Sequence, residues 1–272
     1  MNSKVHLLFD QVSFGYPPFD KTNELRQLVL HNLSFSVQPG QFVSLVGPSG
    51  SGKSTIFRLI TGIEKPLQGK IYFPVWLKDG PEIGTVHQPK VGYMPQQDLL
   101  LPWRTALDNA LLPLELRGVA RKEALGQVRS LFDEFGLAGT ETLYPHQMSG
   151  GMRQRVSFLR AVVASGTLTG PPLILLDEPF SALDAITRIA MQEWLLEQWT
   201  KRKQTILLIT HDVDEALFLS DRILVIEEQP VTQLTEIEVP LDRPRHLSDL
   251  EKREIVQLKY ALLTKLKTKV KT

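Results

Sequence analysis

A glycine-rich segment, Gly47–Ser54, has the composition and spacing of a phosphate-binding loop. It reads Gly-Pro-Ser-Gly-Ser-Gly-Lys-Ser and matches the pattern G-x-x-x-x-G-K-[ST] without a mismatch. Glycine suits such a loop because backbone N–H groups must turn inward around phosphate oxygens, with no side chain in the way. In this pattern we expect the Lys53 ammonium to contact the β- and γ-phosphates of a nucleotide and the Ser54 hydroxyl to bind Mg²⁺.

The sequence on either side of this loop supports the same interpretation. An apolar run, Phe42–Val46, predicts a buried strand that enters the loop, and Thr55–Thr61 predicts a helix that leaves it. The N-terminus of a helix attracts anions, so the helix adds to the phosphate site, and a mere glycine-rich turn is disfavoured. The candidate nucleotide contacts in this segment are Gly47, Pro48, Ser49, Gly50, Ser51, Gly52, Lys53, Ser54 and Thr55.

Two carboxylates, Asp177 and Glu178, follow the apolar run Leu173–Leu176. Next to a phosphate-binding loop, an Asp at the carboxyl end of a strand can hold part of the Mg²⁺ shell. The neighbouring Glu178 is a candidate to polarise an attacking water. Acidic residues also end strands as ordinary turn formers, but the complete phosphate loop favours the catalytic interpretation.

A second anion site is predicted at Ser149-Gly150-Gly151, which precedes a helical run. Serine is a preferred N-cap, and the backbone N–H groups that follow it point toward the helix start. Two phosphate-type sites in one chain suggest that each faces the nucleotide of a different molecule.

The pattern of elements predicts an α/β fold with a mainly parallel sheet. The runs Leu173–Leu176 and Thr205–Ile209 are apolar throughout, which is typical of central parallel strands. A helical stripe between them predicts a crossover helix; its members are Ile186, Ile189, Ala190, Leu196 and Trp199. A last strand is predicted at Arg222–Ile226.

Other segments differ from this pattern. Alternating apolar residues in the first forty positions predict antiparallel strands; they are Val5, Leu7, Phe9, Leu33, Phe35 and Val37. Residues from about 98 to 160 change to helical periodicity and predict an inserted helical subdomain. Residues 251–266 predict an amphipathic helix whose apolar face is Ile255, Leu258, Leu262 and Leu266.

Composition excludes several classes of protein. The 272 residues are 42% hydrophobic and 22% charged, which excludes a disordered chain. Cysteine is absent, so neither a disulfide framework nor a thiolate metal site is possible. The net charge of +1 argues against a general nucleic-acid binder. The N-terminal apolar stretch is too short for a signal peptide, and no apolar run approaches the length of a membrane span, so we expect a protein that is soluble by itself.

The charge is concentrated at the C-terminus, where residues 251–272 hold seven Lys or Arg and two Glu. A basic tail on a slightly acidic body favours an anionic membrane surface or partner. The alternative is a solvated C-terminal end.

Taken together, residues from about 5 to 225 resemble the ATP-binding subunit of an ABC transporter. Gly47–Thr55 resembles the Walker A motif, and Leu173–Glu178 resembles the Walker B motif with its catalytic glutamate. Ser149–Gly151 resembles the family signature, although Met148 and Met152 replace the usual flanking Leu and Gln.

Further family positions follow from the resemblance. It implies that Ser181–Asp184 is the D-loop, with Asp184 at the nucleotide site, and that His211 is the switch histidine. Gln96 and Gln97 both fit the Q-loop glutamine that binds Mg²⁺. Aligning Leu100–Trp103 with the usual Leu-Leu-Pro-Trp favours Gln96.

One aromatic position is also implied. Tyr16 lies where the family keeps an aromatic residue that stacks on adenine. Phe14 is the second candidate, and a plain edge-strand aromatic is the alternative for Tyr16.

The resemblance also implies a fold and a domain organisation. The expected fold is a P-loop NTPase (RecA-like) core with a mainly parallel sheet, an N-terminal antiparallel β subdomain and an inserted α-helical signature subdomain. The ATPase domain then covers residues 5–226, with the helical part at about 98–160. Residues 227–272 form a C-terminal extension with an amphipathic basic helix.

The implied function is an ATP-binding and ATP-hydrolysing subunit of an importer, with Mg²⁺ and ATP as cofactors. The implied partners are a transmembrane permease, a second ATPase subunit in an ATP-dependent homodimer and, indirectly, an extracytoplasmic solute-binding protein, with no nucleic acid. The expected location is the cytoplasmic face of the cell membrane. Tyr144–Gln147, Ser149–Arg155 and Ala185–Leu196 resemble importers of nitrate, sulfonates, taurine and related small anions or pyrimidines.

Two other functions remain as alternatives. A soluble non-transport ABC ATPase usually carries two cassettes or a long coiled-coil insertion. A small-molecule kinase would have no use for Ser149–Gly151 or His211.

The apolar stretch Asp98–Trp103 has two interpretations. Its side chains either pack the join between the α/β core and the helical subdomain, or line a groove that receives a short permease helix. In the second case Leu100 belongs to the groove.

Overall fold

The computed structural model describes residues 5–17, 27–73, 75–77, 80–82, 91–166 and 172–267. The chain divides into two compact units. The first comprises Met1–Pro89 and Thr205–Thr272, and the second comprises Lys90–Gln204.

The elements of the first unit include nine of the described strands. They are β1 (Leu7–Tyr16), β2 (Gln27–Val37), β3 (Phe42–Val46), α1 (Lys53–Ile60), β4 (Gln68–Tyr72), β5 (Val75–Leu77), β6 (Gly80–Glu82), and, after the second unit, β9 (Thr205–Thr210), α6 (Val213–Leu219), β10 (Arg222–Val225), β11 (Thr235–Glu238), a 3₁₀ turn (Leu247–Glu251) and α7 (Arg253–Lys267). Those of the second unit are β7 (Val91–Met94), α2 (Ala106–Leu116), α3 (Arg121–Glu134), a 3₁₀ turn (Pro145–Gln147), α4 (Gly150–Ser165), β8 (Leu173–Asp177) and α5 (Ala185–Arg202).

An antiparallel sheet forms the N-terminal part of the first unit. Its strand order is β2-β1-β4, and both pairings are antiparallel. Of the alternating residues predicted from the sequence, all but the half-buried Val5 are buried, and the Phe9 and Phe35 rings stack at 4.5 Å. The predicted antiparallel strands are confirmed.

Parallel strands carry the candidate site of the first unit. Strand β3 lies between β9 and β10 and is parallel to both. Every residue of β3 and β9 is buried, as expected for strands covered on both faces. Strand β11 adds an antiparallel edge beside β10.

The second unit combines a parallel pair, β7 and β8, with helices α2 to α5. An aromatic cluster of Phe135, Phe158 and Trp194 lies in its core, with ring centroids 5.5–5.8 Å apart. The Arg155 guanidinium lies 5.2 Å from the centre of the Trp194 ring. These contacts join the helix that follows Ser149 to α5.

The predicted apolar stripe of α5 is wrong in its first turns. Ile186 and Ile189 are 82% and 42% exposed, whereas Met191 and Leu195 are buried. At about 100° per residue, Ile186 lies about 140° around the helix from Met191, so the two cannot share a face. The helical spacing of the apolar residues therefore predicted the wrong buried face for the first turns of α5.

Helix α7 packs through its apolar face against the rest of the first unit. Ile255 and Leu262 are buried in a cluster with Val213, Leu217 and Val225. Lys259 pairs with Asp214 at 2.6 Å, Lys265 pairs with Glu227 at 2.7 Å, and Lys252 pairs with Asp249 at 2.9 Å. Several cations of the basic tail thus have intramolecular partners.

Candidate nucleotide-binding site

The glycine-rich loop connects β3 to α1 and holds Lys53 against itself. The Lys53 ammonium donates to the carbonyl oxygens of Gly47 and Pro48, both at 2.8 Å. The side chain is only 6% exposed. Its charge is therefore fixed at the loop, where an anion gains a charge-assisted hydrogen bond.

Two of the loop glycines are required by its geometry. Gly52 has a φ of +100°, and a Cβ there would lie 2.8 Å from the Val29 Cγ1. A Cβ on Gly47 would lie 2.8 Å from the Ser51 Oγ and 3.0 Å from the Ile226 Cβ. Any side chain at either position forces the loop to move, which explains the glycines of the motif.

The polar groups of the loop fit a phosphate ligand. Gly52 is the N-cap of α1, and within the described part of the chain no side chain caps this helix start. The Ser51 hydroxyl is buried and has no hydrogen-bond partner among the described residues. An orphaned buried hydroxyl beside an uncapped helix start and a fixed ammonium is the donor set that a phosphate requires.

A cavity of about 530 Å³ lies beside the loop, lined by Pro48–Ser51 and Ile226–Gln229. The Gln229 amide, which also lines this cavity, donates directly to the Gly50 carbonyl. Sequence reasoning missed Gln229 because it lies 179 residues from its partner in a segment without a motif.

Tyr16 lies near α1, as its predicted role requires. Its hydroxyl is 3.3 Å from the Thr55 Oγ1 and accepts from the Arg58 guanidinium at 3.3 Å. Phe14 packs edge-on against Tyr16 at 5.0 Å but is only 4% exposed. Phe14 is too deeply buried to stack on a nucleotide, so Tyr16 is the better candidate.

His211 follows β9 at the same edge of the sheet as the glycine-rich loop. Val46 and Thr210 are register partners in parallel strands, so Gly47 and His211 leave adjacent strands side by side. Asp212 accepts from the backbone N–H groups of Asp214 and Glu215 and caps α6. This cap fixes the turn on which the exposed His211 side chain lies.

In the second unit, Gln96 and Glu178 form a hydrogen bond. Strands β7 and β8 are parallel with Met94 opposite Leu176, so both residues lie just past the carboxyl ends. The Gln96 Nε2 donates to the Glu178 Oε2 at 3.1 Å. Glu178 has a φ of +46°, a left-handed conformation that is uncommon outside glycine and clusters at functional sites.

Asp177 is the last residue of β8 and is 9% exposed. The Tyr93 hydroxyl donates to its Oδ2 at 3.2 Å. This bond orients the carboxylate, which keeps oxygen atoms of the type that Mg²⁺ prefers. Asp177 therefore offers a carboxylate of the kind that binds magnesium, and in the first unit the Ser54 hydroxyl at the glycine-rich loop is exposed.

Ser149 and Asp184 cap helices in the second unit. The Ser149 Oγ accepts from the Met152 N–H at 3.2 Å at the start of α4. The Asp184 Oδ1 accepts from the Thr187 N–H at 3.0 Å at the start of α5, and hydrogen bonding to Thr187 lowers the pKa of Asp184. The structure gives each a capping role in addition to the predicted nucleotide contact.

The predicted site residues fall in both units. The first unit holds Tyr16, Gly47, Pro48, Ser49, Gly50, Ser51, Gly52, Lys53, Ser54, Thr55 and His211, and the second holds Gln96, Ser149, Gly150, Gly151, Asp177, Glu178 and Asp184.

The placement of Leu100 in a surface groove is wrong, because its side chain is only 7% exposed. Its neighbours Leu99 and Trp103 are 58% and 71% exposed. The alternative, that this stretch packs the interior, holds for Leu100, while Leu99 and Trp103 face solvent.

Comparison with known proteins gives the family. The family model described as ABC transporter matches residues 30–181, which is more than half of the chain. The chain belongs to the ABC transporter family. The resemblance predicted from its motifs is confirmed.

Curated relatives are similar over most of their length. The formylaminopyrimidine import ATP-binding protein ThiZ of Halalkalibacterium halodurans is 48% identical, over 91% of this chain and 90% of that protein. The aliphatic sulfonates import ATP-binding protein SsuB 1 of Rhodococcus jostii is 43% identical, over 89% of this chain and 87% of that protein.

A solved structure supports the same family. It is the dimeric post-hydrolysis state of the ATP-binding cassette MJ0796 bound to ADP and Pi, with a TM-score of 0.64 and 27% identity. The structural alignment covers 87% of this chain and 100% of the MJ0796 chain. The predicted α/β fold of this ABC ATPase is confirmed.

This ABC protein is an ATP-binding, ATP-hydrolysing subunit of an importer, as the sequence predicts. The names of the relatives give no support to a soluble non-transport ATPase. Within the described residues, none of the helices has the length and apolar character needed to cross a membrane.

Proposed function

We propose that this ABC ATPase powers uptake of a small solute through a separate membrane permease. The proposed solute is a nitrate-, sulfonate- or taurine-like anion, or a related compound such as a substituted pyrimidine. The observation that carries the proposal is the 48% identity to a formylaminopyrimidine import protein over 91% of the chain. The similarity to an aliphatic sulfonate import protein keeps the anionic class open.

Residues of both units have proposed roles in hydrolysis. Lys53 binds the β- and γ-phosphates, and Tyr16 stacks on adenine. Asp177, Ser54 and Gln96 would hold Mg²⁺, which neutralises charge on the phosphate oxygens when bound. Catalysis of phosphoryl transfer is mostly positioning and charge stabilisation, so these fixed groups supply most of what the reaction needs.

Glu178 and His211 complete the proposed catalytic set. Glu178 accepts a proton from the attacking water, which makes the water a better nucleophile. The Gln96 hydrogen bond orients the Glu178 carboxylate. His211 donates to the γ-phosphate from the capped turn that precedes α6.

The proposed active form is a homodimer in which each nucleotide touches both chains. Lys53, Glu178 and His211 of one subunit face Ser149–Gly151 of the other, and Asp184 lies at the same interface. The uncapped start of α1 and the N-terminus of α4 then bind the same nucleotide from opposite sides. The dimeric form of the similar cassette supports this arrangement.

The permease is the proposed membrane partner, and an extracytoplasmic solute-binding protein acts through it. Leu99 and Trp103 are the proposed contacts with a short cytoplasmic permease helix, because they are large, apolar and exposed. The ATPase then lies on the cytoplasmic face of the membrane. Leu99 and Trp103 replace the buried Leu100 as the proposed permease contacts.

The proposal is tested by transport in vesicles. The ATPase is co-produced with a candidate permease and a candidate solute-binding protein, and uptake of formylaminopyrimidine, an alkanesulfonate, taurine and nitrate is measured. We expect uptake of one of these classes that requires ATP and is lost in the Lys53→Ala variant. An ATPase that hydrolyses ATP but neither assembles with the permease nor supports uptake would contradict the proposal.

A further inference from the structure

The segment between β7 and α2, residues 98–105, is irregular backbone held by side chains from two helices. We name it the 98–105 loop. Irregular loops are usually more mobile than helices and strands, because their backbone N–H and C=O groups lack the regular hydrogen bonds of those elements. Here Leu99 and Trp103 project into solvent from a backbone whose carbonyl groups are bound from two sides.

Helix α4 binds the start of this loop through Arg160. The Arg160 Nη1 donates to the Leu99 carbonyl at 2.8 Å, and the Nη2 donates to the Asp98 carbonyl at 2.5 Å. The Ser157 hydroxyl, one turn earlier on α4, donates to the same Asp98 carbonyl at 3.2 Å. A planar guanidinium suits two consecutive carbonyls because its N–H groups form a rigid fork.

The Asp98 side chain adds two bonds to the same region. Its Oδ2 accepts from the Arg153 Nε at 3.2 Å, and its Oδ1 accepts from the Leu100 N–H at 3.1 Å. Leu99 has a φ of +43°, a left-handed conformation that a branched apolar residue rarely adopts. The bonds on either side hold Leu99 in this conformation.

Helix α2 binds the rest of the loop through Asn109, which is fully buried. The Asn109 Nδ2 is within hydrogen-bond distance of the carbonyl oxygens of Leu101, Arg104 and Thr105, at 3.0–3.2 Å. Its Oδ1 accepts from the Leu101 N–H at 2.7 Å. The buried Asn109 side chain thus ties the second half of the loop to α2.

Burial supports a dedicated role for Arg160. Burial lowers the pKa of its guanidinium, and the Asp98 carboxylate acts in the opposite direction. Arg160 is half-buried, and a partly desolvated cation that bonds to neutral carbonyls costs free energy that a solvated surface arginine does not. The Arg160 guanidinium is thus held by its hydrogen bonds to the Asp98 and Leu99 carbonyls.

We propose that Arg160 is a positioning residue that makes the start of the 98–105 loop move together with α4, the helix that begins at the Ser149–Gly151 signature. This inference rests on the proposed permease contact at Leu99 and Trp103. A force on Leu99 then reaches α4 through two backbone carbonyls, and a shift of α4 moves Leu99 in turn. The two hydrogen bonds from Arg160 to the Asp98 and Leu99 carbonyls thereby couple the proposed permease contact at Leu99 to the signature end of α4 in the same subunit.

The test compares three variants. Arg160→Met keeps the aliphatic volume but removes the fork, Arg160→Lys keeps one charged donor group, and Arg129→Met removes an exposed arginine from α3 as the matched control. Hydrogen exchange at the Leu100 and Leu101 amides is measured in the isolated ATPase. Solute transported per ATP hydrolysed is measured in the reconstituted ATPase–permease complex.

We expect Arg160→Met to speed exchange at Leu100 and Leu101 about tenfold or more, with little change in the middle of α2 and α4. Its basal ATPase rate stays within about twofold of wild type, while solute transported per ATP falls about fivefold or more. Arg160→Lys lies between these limits because one ammonium cannot span both carbonyls in the same geometry. Arg129→Met behaves as wild type.

Other outcomes overturn the inference. Wild-type coupling in Arg160→Met contradicts it, whether or not exchange becomes faster, and so does equal loss in Arg129→Met. If Arg160→Met does not fold, the same criteria apply to Arg160→Lys. If the wild-type ATPase does not assemble with the permease, the proposed function fails. Unchanged exchange at Leu100 and Leu101 in Arg160→Met separately refutes the proposed role of Arg160.

Discussion

The Gln96 side chain donates a hydrogen bond to the Glu178 carboxylate across 3.1 Å. The residue proposed to bind Mg²⁺ is therefore joined to the residue proposed to activate water. Because the amide nitrogen makes this bond, the Gln96 Oε1 is left to serve as a metal ligand. The bond favours Gln96 over Gln97 for the proposed role, in agreement with the alignment of Leu100–Trp103.

The first prediction follows from this pair. Gln96→Ala removes a hydrogen bond to a charged group, an interaction that contributes about 1.5–3 kcal/mol. We expect kcat for ATP hydrolysis to fall about tenfold or more, with Gln97→Ala as the matched control that keeps wild-type activity. Steady-state phosphate release measures both. A larger loss in Gln97→Ala than in Gln96→Ala would assign the role to Gln97.

The second prediction concerns Lys53, whose ammonium is fixed by the Gly47 and Pro48 carbonyls. Lys53→Ala removes a charged donor at the phosphates, so MgATP affinity should fall about tenfold or more and hydrolysis should be lost. Lys70→Ala, an exposed position on β4, is the control. Calorimetric titration with MgATP gives the affinities, and unchanged turnover in Lys53→Ala would remove the loop from the mechanism.

The third prediction separates packing from docking at adjacent leucines. Leu100→Asp buries a carboxylate at a 7% exposed position and should lower the free energy of unfolding by about 3 kcal/mol or more. Leu99→Asp changes a 58% exposed side chain, and Asp tolerates the left-handed backbone at this position. Leu99→Asp should therefore fold and bind ATP but lose the permease.

Urea denaturation and pull-down of the permease measure these two effects. A Leu99→Asp variant that assembles and transports as wild type would refute the proposed contact. A Leu100→Asp variant of wild-type stability would contradict the burial of Leu100.

The fourth prediction is a pH dependence of stability that arises from His6. Burial lowers the pKa of His6 from 6.5 to about 4, and its Nδ1 lies 2.6 Å from the Thr205 Oγ1. Between these two pH values the unfolded state binds a proton that the folded state does not. Stability should therefore fall as the pH drops from 6.5 to 4, by about 3 kcal/mol from this group.

Urea denaturation of wild type and His6→Gln at pH 7 and pH 4.5 checks this contribution. The difference in stability between the two proteins should favour wild type more at pH 7 than at pH 4.5. The same difference at both pH values would exclude His6 as the source.

The sequence predicts the site well where its chemistry is local in the chain. The loop Gly47–Ser54 is a single segment, and the geometry at Gly47 and Gly52 explains its glycines. The parallel strands follow from apolar runs such as Thr205–Ile209. Because parallel strands end at one edge, the proximity of Gly47 and His211 also follows from their order.

Contacts between distant segments were not predictable in the same way. Arg160 binds Asp98 from 62 residues away, and its sequence surroundings are those of any helical arginine. The sequence gives a weak indication of a buried polar contact at Asn109, because this polar residue lies within the apolar stretch of α2. The exposure of Ile186 and the burial of Leu100 depend on which face the tertiary structure covers, and apolar character alone does not determine that face.

Phosphate release from saturating MgATP by the Glu178→Gln variant tests the proposed mechanism most directly. The amide keeps the shape and hydrogen bonding of the side chain but cannot accept a proton from water. Loss of a general base costs about 10²–10⁴ in rate, so we predict turnover at least about a hundredfold below wild type with unchanged MgATP affinity. Turnover at the wild-type rate would contradict the assignment of Glu178 and the hydrolytic site built around it.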